Sequence, residues 1–370
     1  MMKAPARLAD LVAGTSIAGL LLPEAVAYSG LAGLPPQAGV IALLVGLFVY
    51  ALLGSSRFAI VSATSSSATV LLAATHSMGA VDPATRAALS VGVVLLAGAF
   101  FVAAALAQLG AVSSLIAKPV LRGFALGLAL TIVVKQLPKV LVVHPGHGDF
   151  FPLVAELAAG WRQWNLAGAA MAAIALVLMR ALARWRAVPA ALLVIVAGIL
   201  LDRAGWCQAW GVSPVGPIVI GLGEPALPTL DRAHWLRLGE LAFAVALILY
   251  AESYGSIRTF ALRHGDNVSI NRDLLALGVA NIGAGLLQGM PVGAGYSATS
   301  ANESSGAQSR AAGAIAGLVV LIAVLTLLPW IAHIPEPLLA AIVIHAVSHS
   351  LSPTVLRPYF RWRRDRLISI

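Results

Sequence analysis

Charged residues are scarce in this chain: they make up 11% of its 370 residues, whereas soluble domains carry about a quarter. Hydrophobic residues make up 59%, and the mean hydropathy is +0.91. A soluble core cannot bury that much apolar surface, so the composition predicts a protein that crosses the membrane several times. The single cysteine, Cys207, excludes an intrachain disulfide and a thiolate metal cluster within one chain.

Apolar stretches of roughly 20 residues mark candidate membrane segments. We predict twelve of them, with both termini on the same side of the membrane. They lie near 8–30, 37–53, 58–77, 86–109, 114–138, 166–183, 188–202, 238–257, 273–288, 291–306, 311–332 and 337–351. The third and the tenth are interrupted by Gly, Ser and Thr residues, and the other ten are continuously apolar.

Lys and Arg residues are distributed unevenly between the two sides. Most of the 24 fall on the side that holds both termini in this arrangement. Because positively charged loops stay in the cytoplasm, this distribution predicts that both termini are cytoplasmic. The net charge of +9 therefore comes from the basic loops on the cytoplasmic side. We expect the partner of this chain to be the lipid bilayer and not nucleic acid.

The two interrupted segments have similar sequences. Residues 58–74 and 290–306 both contain the tetrapeptide Ser-Ala-Thr-Ser, at 62–65 and again at 297–300. A polar break inside a membrane segment is tolerated where it lines a cavity or is buried in protein. Two such breaks at corresponding places in two halves of a chain are typical of a transporter binding site.

A helix that starts in the middle of the membrane can bind an anion. Its first N–H groups lack partners, and its dipole adds partial positive charge. We predict that Thr64–Ser67 and Ser297–Ser300 cap two such starts and add hydroxyl donors. The alternative is that these small residues only allow neighbouring helices to pack closely.

Three acidic residues are predicted to lie at membrane depth: Glu24, Glu252 and Glu303. An acid at that depth is costly and usually functional. Ser256 is four residues beyond Glu252 and shares its helix face, so this pair can hold a proton or coordinate Na⁺. The alternative for each acid is a packing hydrogen bond to a neighbouring helix. For Glu303 we expect a solvated position near the cytoplasmic end of its helix.

Short motifs that follow one another along the chain carry a family resemblance. They are Leu22–Pro36, Gly54–Arg57, Lys118–Phe124, Gln136–Lys139, Ala251–Ser253, Arg263–Gly265, Asn271–Asp273, Ala280–Asn281, Pro291–Ser297 and Asn302. In this order they resemble the SulP family of sulfate permeases and related anion transporters. The resemblance runs from about residue 8 to the C-terminal end.

The resemblance implies an all-α polytopic membrane protein built from two inverted seven-segment repeats, arranged as a core and a gate. Residues 8–203 would form the first repeat, 238–351 an incomplete second repeat, and 352–370 a basic cytoplasmic tail. Family members usually continue into segments 13 and 14 and a STAS domain. With only about twelve segments, we expect the 370 residues alone to insert correctly but to transport weakly.

The resemblance also implies a binding site between segments 3 and 10. The expected anion-binding residues are Glu24, Tyr28, Thr64, Ser65, Ser66, Ser67, Tyr296, Ser297, Ala298 and Thr299. Many relatives carry Arg where this chain has Ala298, so here the helix dipoles would hold the anion without a fixed cation. Glu252, assisted by Ser256, would couple transport to H⁺ or Na⁺.

The expected function is secondary active transport of a small inorganic anion across the bacterial plasma membrane. Sulfate, bicarbonate, chloride and dicarboxylates remain open as substrates, and a homodimer is a possible assembly. A nucleobase or neutral-solute carrier of the same architecture is the main alternative, and a non-functional truncated remnant is another. The sequence contains neither HExxH nor GxSxG, so we expect no enzyme, no cofactor and no metal site.

Overall fold

The computed structural model describes residues 6–79, 83–110, 118–146, 150–182, 190–216 and 232–348. Nearly all of these residues are helical, and the described part of the chain holds fourteen α-helices and two short strands. The predicted tail at 352–370 lies outside the described residues, as do parts of the predicted spans at 114–138, 188–202 and 337–351.

The elements follow one another in a simple order. The helices are α1 (Ala6–Leu31), α2 (Pro36–Leu53), α3 (Ser65–His76), α4 (Pro83–Leu106), α5 (Lys118–Leu141), α6 (Phe150–Ala159), α7 (Leu166–Leu182), α8 (Ala190–Arg203), α9 (Trp206–Ala209), α10 (Arg232–His264), α11 (Ile270–Leu286), α12 (Tyr296–Ser304), α13 (Ala311–Ile331) and α14 (Glu336–Ser348). The strands are β1 (Val61–Ser62) and β2 (Gly293–Ala294), and a 3-10 turn covers Trp161–Gln163.

The predicted interruptions at segments 3 and 10 are confirmed, since each consists of a two-residue strand followed by a short helix. Two details differ from the prediction. Helix α10 has 33 residues and extends beyond the predicted span at both ends. Helix α6 lies in a region predicted as a connecting loop, because its 10 residues are too few to cross a bilayer. Three described helices, α1, α2 and α4, are by themselves long and apolar enough to span one.

The chain divides into two compact units. Unit 1 comprises Met1–Ala117 and Ile220–Ile322, and unit 2 comprises Lys118–Val219 and Ala323–Ile370. Unit 1 therefore holds α1 to α4, α10 to α12, both strands and most of α13. The boundary falls within α13. All the residues predicted to bind the anion or the coupling ion belong to unit 1.

Glycine residues bring α4 and α11 into backbone contact within unit 1. A Cβ atom added at Gly98 would lie 2.9 Å from the Gly278 carbonyl oxygen, and one added at Gly278 would lie 3.0 Å from the Gly98 carbonyl oxygen. Small residues allow such close approach between membrane helices, where packing rather than hydrophobicity drives association. This packing fixes α11, which supplies a side chain to the site described below.

A buried carboxylate ties α11 to the segment that leads into β1. Asp273 of α11 accepts hydrogen bonds from the Tyr50 hydroxyl at 2.8 Å, and from the backbone N–H and the hydroxyl of Ser55 at 2.7 Å each. Nearby, Arg57 forms an ion pair with Asp266 at 2.7 Å. These contacts hold the turn between α2 and β1, so β1 enters the interior of unit 1 at a fixed position.

Unit 2 is organised around α5, α7 and α14, which pack against one another. The residues just before 217 form hydrogen bonds with the chain at the start of α14. The Val215 N–H donates to the Ile334 carbonyl oxygen at 2.9 Å, and the Glu336 N–H donates to the Ser213 carbonyl oxygen at 3.0 Å. His333 Nδ1 lies 2.7 Å from an Asp202 carboxylate oxygen at the end of α8.

Candidate functional site

The two interrupted segments meet in the interior of unit 1. Strands β1 and β2 pair antiparallel, with Val61 opposite Ala294 and Ser62 opposite Gly293, and all four residues are buried. Helix α2 packs on β1, and α10 packs on β2. A Cβ atom added at Gly46 of α2 would lie 2.5 Å from the Val61 carbonyl oxygen, so only glycine permits this approach.

Side chains from α10 and α11 satisfy the backbone of the second segment. The Asn281 side chain donates to the Val292 carbonyl oxygen at 2.9 Å and accepts from the Val292 N–H at 3.0 Å. The Ser253 hydroxyl accepts from the Ala294 N–H at 2.9 Å. Because an unpaired backbone group buried in an apolar layer is costly, these two side chains make the non-helical backbone possible.

Side chains from α12 satisfy backbone groups of the first interrupted segment. The Thr299 hydroxyl accepts from the Ile60 N–H at 3.3 Å, and the Asn302 side chain donates to the Phe58 carbonyl oxygen at 2.9 Å. Thr299 and Asn302 are both buried. Each interrupted segment is therefore held by the other as well as by the continuous helices around it.

The start of α3 is capped as predicted. Thr64 is the N-cap residue, and its hydroxyl accepts from the Ser67 N–H at 3.1 Å. In return, the Ser67 hydroxyl accepts from the Thr64 N–H at 2.9 Å, which completes a capping box. Ser66 is buried and Ser65 is partly exposed. The Ser65 and Ser66 N–H groups are the first-turn donors that the box leaves free.

Glu252 of α10 lies at this helix start. Its Oε2 atom accepts hydrogen bonds from the Thr64 hydroxyl at 3.1 Å and from the Ser66 hydroxyl. A carboxylate at a helix N-terminus is stabilised by the dipole. Glu252 is itself only partly buried, whereas Thr64 and Ser66 are buried.

The start of α12 is built differently. Its N-cap is Gly295, which supplies no side-chain hydrogen bond, so the predicted cap among Ser297–Ser300 is wrong. Tyr296 and Ser297 are exposed, whereas Ala298 is buried. The Ser256 hydroxyl donates to the Gly295 carbonyl oxygen at 3.5 Å and makes no described hydrogen bond to Glu252. Ser256 therefore supports the α12 start instead of pairing with the acid.

Helix α1 contacts both half-helices, α3 and α12, and carries Glu24 and Tyr28. Both side chains are buried. Glu24 Oε1 has no hydrogen-bond partner among the described residues. Tyr28 lies within electrostatic range of both Glu24 and Glu252.

Glu303, at the far end of α12, does not join the site. Its carboxylate lies 2.9 Å from His264 Nε2 and 3.4 Å from an Arg263 guanidinium nitrogen, both at the end of α10. Its place at a helix end agrees with the expected position, and the two basic partners were not predicted. Among the described residues, no group of three His, Cys, Asp or Glu side chains is placed to hold a metal ion.

Three buried side chains were not predicted as site residues: Ser253, Asn281 and Asn302. Each is a polar residue that the sequence places near a feature already noted. Ser253 and Asn302 lie close to the predicted site residues Glu252 and Thr299, and Asn281 precedes the second interrupted segment. Such residues are common in membrane helices as packing contacts. The hydrogen bond that each donates to or accepts from a distant backbone group becomes visible only in the fold.

Residues 8–359 match the family model described as the sulfate permease family. The chain belongs to the sulfate permease family. This is a family of membrane transporters and not of enzymes. A probable sulfate transporter of Mycobacterium tuberculosis is 33% identical over 363 residues, which cover 97% of this chain and 64% of that protein. Human solute carrier family 26 member 6 is 31% identical over 364 residues, which cover 91% of this chain and 47% of that protein.

Solved structures share the fold of this family member. The transmembrane domain of a cyanobacterial bicarbonate transporter, BicA, superposes with a TM-score of 0.89 at 22% identity, covering all of this chain and 94% of that chain. Murine solute carrier 26 family member A9 in its inward-facing state superposes with a TM-score of 0.88 at 21% identity, covering 100% of this chain and 64% of that chain. The predicted all-α inverted-repeat fold with core and gate is thereby confirmed. The chain spans about half to two-thirds of the length of the curated relatives described above.

We predict that Asn281→Ala destabilises this sulfate permease family member by about 2–6 kcal/mol. The variant leaves the N–H and the carbonyl of Val292 buried without their partner, and each costs roughly 1–3 kcal/mol. Thermal unfolding in detergent measures the effect, with Val279→Ala on the exposed face of the same helix as the control. Equal melting temperatures for the two variants would contradict the role given to Asn281.

Proposed function

We propose that this chain carries out secondary active transport of a small inorganic anion, coupled to H⁺ or Na⁺. The observation that carries the proposal is the position of the Glu252 carboxylate, which accepts hydrogen bonds from Thr64 and Ser66 at the α3 start. The second half-helix start, that of α12, belongs to the segment paired with β1 and has no side-chain cap.

The two half-helix starts offer an anion the kind of donors it needs. At α12, Gly295 leaves the first-turn N–H groups without a side-chain acceptor, and Ser297 is exposed. At α3, the Ser65 and Ser66 N–H groups remain after the capping box is formed. Backbone N–H groups together with the helix dipole, equivalent to roughly half an elementary charge, favour negative charge at such starts. No fixed cation is required.

Glu252 supplies the link to a cation. While ionised, its carboxylate occupies the electropositive start of α3 and repels an anion that approaches the same donors. Neutralisation of Glu252, by a proton or by Na⁺ bound to its oxygens and the neighbouring hydroxyls, removes this repulsion. The anion and the cation therefore bind together, which is the thermodynamic basis of symport.

Glu24 and Tyr28 form the α1 wall of this proposed site. Both are buried beside α3 and α12, and Glu24 Oε1 has no described partner. A buried carboxyl without a partner is most stable when neutral, so Glu24 tolerates an adjacent anion. We assign to this pair a contact with the substrate and not a structural role.

The names of the relatives indicate the substrate class. A probable sulfate transporter and a bicarbonate transporter are among them, so we propose a small oxyanion, with chloride and dicarboxylates as further candidates. A neutral-solute carrier is the second candidate, favoured by the absence of a cation at buried Ala298.

We also propose that residues 8–203 and 238–351 form the two inverted repeats. The chain would lie in the plasma membrane with both termini in the cytoplasm, and a homodimer is the candidate assembly.

We predict that the double variant Ser65→Leu, Ser297→Leu abolishes anion uptake. The leucine side chains fill the space in front of both half-helix starts and remove two hydroxyl donors. Uptake of radiolabelled sulfate and bicarbonate into proteoliposomes measures the effect. Ser304→Leu, at the opposite end of α12 and exposed, is the matched control and should transport normally. Unchanged uptake of every anion in the double variant would refute this site.

We predict that Glu252→Gln uncouples transport from the cation gradient. Glutamine keeps the shape and the hydrogen bonds to Thr64 and Ser66 but cannot gain or lose the charge. Concentrative uptake driven by a proton or sodium gradient should fall at least tenfold, while downhill anion exchange persists. Glu303→Gln, which removes a surface acid paired with His264, is the control. Wild-type accumulation by Glu252→Gln would show that the coupling residue lies elsewhere.

A further inference from the structure

One side of α6 is fixed to the end of α5 within unit 2. Leu153 and Leu157, which are one helical turn apart, are buried in a cluster with Leu141. Glu156 is the only ionisable residue of this helix, and its carboxylate accepts a hydrogen bond from the Gly146 N–H at 2.8 Å. The position of α6 on α5 is therefore set by both apolar packing and a polar contact.

The other side of α6 exposes apolar side chains. Phe151 is 81% exposed and Val154 is 42% exposed. Ala155 and Ala158 are exposed beside them. Their spacing of three and four residues places these side chains on one face of the helix. A contiguous exposed apolar surface marks a contact with a membrane or with another protein.

The 3-10 turn after α6 continues this surface with two tryptophans. The Trp164 indole N–H donates to the Leu157 carbonyl oxygen at 3.2 Å, which folds the turn back onto the end of α6. Trp161 is 60% exposed, and the Arg162 guanidinium lies 5.5 Å from the centroid of its ring. Arg162 is exposed and has no acidic partner among the described residues. Exposed tryptophans beside a basic residue are typical of the headgroup region of a bilayer.

The connection that contains α6 begins and ends at the same level. The Asn165 N–H, just before α7, donates to the Leu141 carbonyl oxygen at the end of α5 at 2.9 Å. A Cβ atom added at Gly168 of α7 would lie 2.9 Å from the Val140 carbonyl oxygen, so the two helices are in backbone contact there. Both helices correspond to predicted membrane segments. Because the 10 residues of α6 cannot cross a bilayer, α6 stays at the membrane face where α5 ends and α7 begins.

We propose that α6 and the 3-10 turn lie in the interfacial layer of the bilayer and anchor unit 2 to the leaflet opposite the termini. Phe151 and Val154 contact acyl chains, Trp161 lies at the level of the headgroups, and Arg162 binds a lipid phosphate. Phospholipid matches both the apolar face and the cation beside it, whereas a second copy of the chain would have to supply an acid for Arg162. This anchor is separate from the proposed transport site and does not depend on it.

The depth of α6 in lipid nanodiscs tests the proposal. Ala158→Cys, made in the full chain with Cys207→Ala, places a fluorescent label on the exposed side of α6. The nanodiscs contain phosphatidylcholine and phosphatidylglycerol with a nitroxide either near the headgroup end or near the methyl end of the acyl chain. The headgroup-end nitroxide should quench this label at least about twofold more strongly, since an interfacial helix lies at the boundary of headgroups and acyl chains.

The matched control is Ala173→Cys, which labels an exposed alanine in the middle of α7 and should be quenched more strongly by the methyl-end nitroxide. A second variant adds Trp161→Ser and Arg162→Ser to the Ala158→Cys protein. Quenching by the headgroup-end nitroxide should weaken in this variant, because the turn no longer holds α6 in the headgroup region.

Three results would overturn the proposal. A label at position 158 that neither nitroxide quenches would place α6 in water or against a second copy, and energy transfer between labelled copies would identify the latter. Stronger quenching by the methyl-end nitroxide would place α6 within the hydrocarbon layer. Unchanged quenching after Trp161→Ser and Arg162→Ser would show that the turn takes no part in the anchor.

Discussion

Two segments of this protein leave the helical conformation inside an apolar layer, and every backbone group freed there has to find a hydrogen bond within the protein. Four buried side chains on continuous and interrupted helices meet this requirement: Ser253, Asn281, Thr299 and Asn302. The close packing of α4 on α11 then fixes where Asn281 lies. The β1–β2 pair, and with it both half-helix starts, depends on this small set of contacts.

The two half-helix starts are chemically unequal, and the proposed mechanism follows from that inequality. The α3 start is occupied by a capping box and by the Glu252 carboxylate. The α12 start is capped only by Gly295, so its first-turn donors have no side-chain acceptor. In the proposed mechanism, the α3 start holds the carboxylate whose ionisation changes, and the α12 start receives the substrate. Binding and coupling would then need no fixed cation.

The sequence predicted the interruptions well, because a Ser- and Gly-rich break in an apolar segment is costly in a membrane unless it is buried or lines a cavity. It also singled out Thr64 as a helix cap and Glu252 as an acid within an apolar helix, and the structure brings both to the α3 start. It failed at the α12 cap, where the hydroxyl residues after Tyr296 suggested a cap that Gly295 provides. Helix α6 was missed because a 10-residue amphipathic helix leaves no membrane-span signal. Long-range contacts such as Asn281 with Val292 require the fold itself.

In the proposed mechanism, the anion binds next to Glu252, and neutralisation of this acid permits binding. Equilibrium binding of labelled sulfate or bicarbonate to the purified protein, measured across pH and sodium concentration, tests it most directly. We expect tighter binding in the wild type as pH falls or as the sodium concentration rises, and binding that is independent of both in Glu252→Gln. A wild-type affinity that responds to neither proton nor sodium would contradict the claim, as would an unchanged dependence in Glu252→Gln.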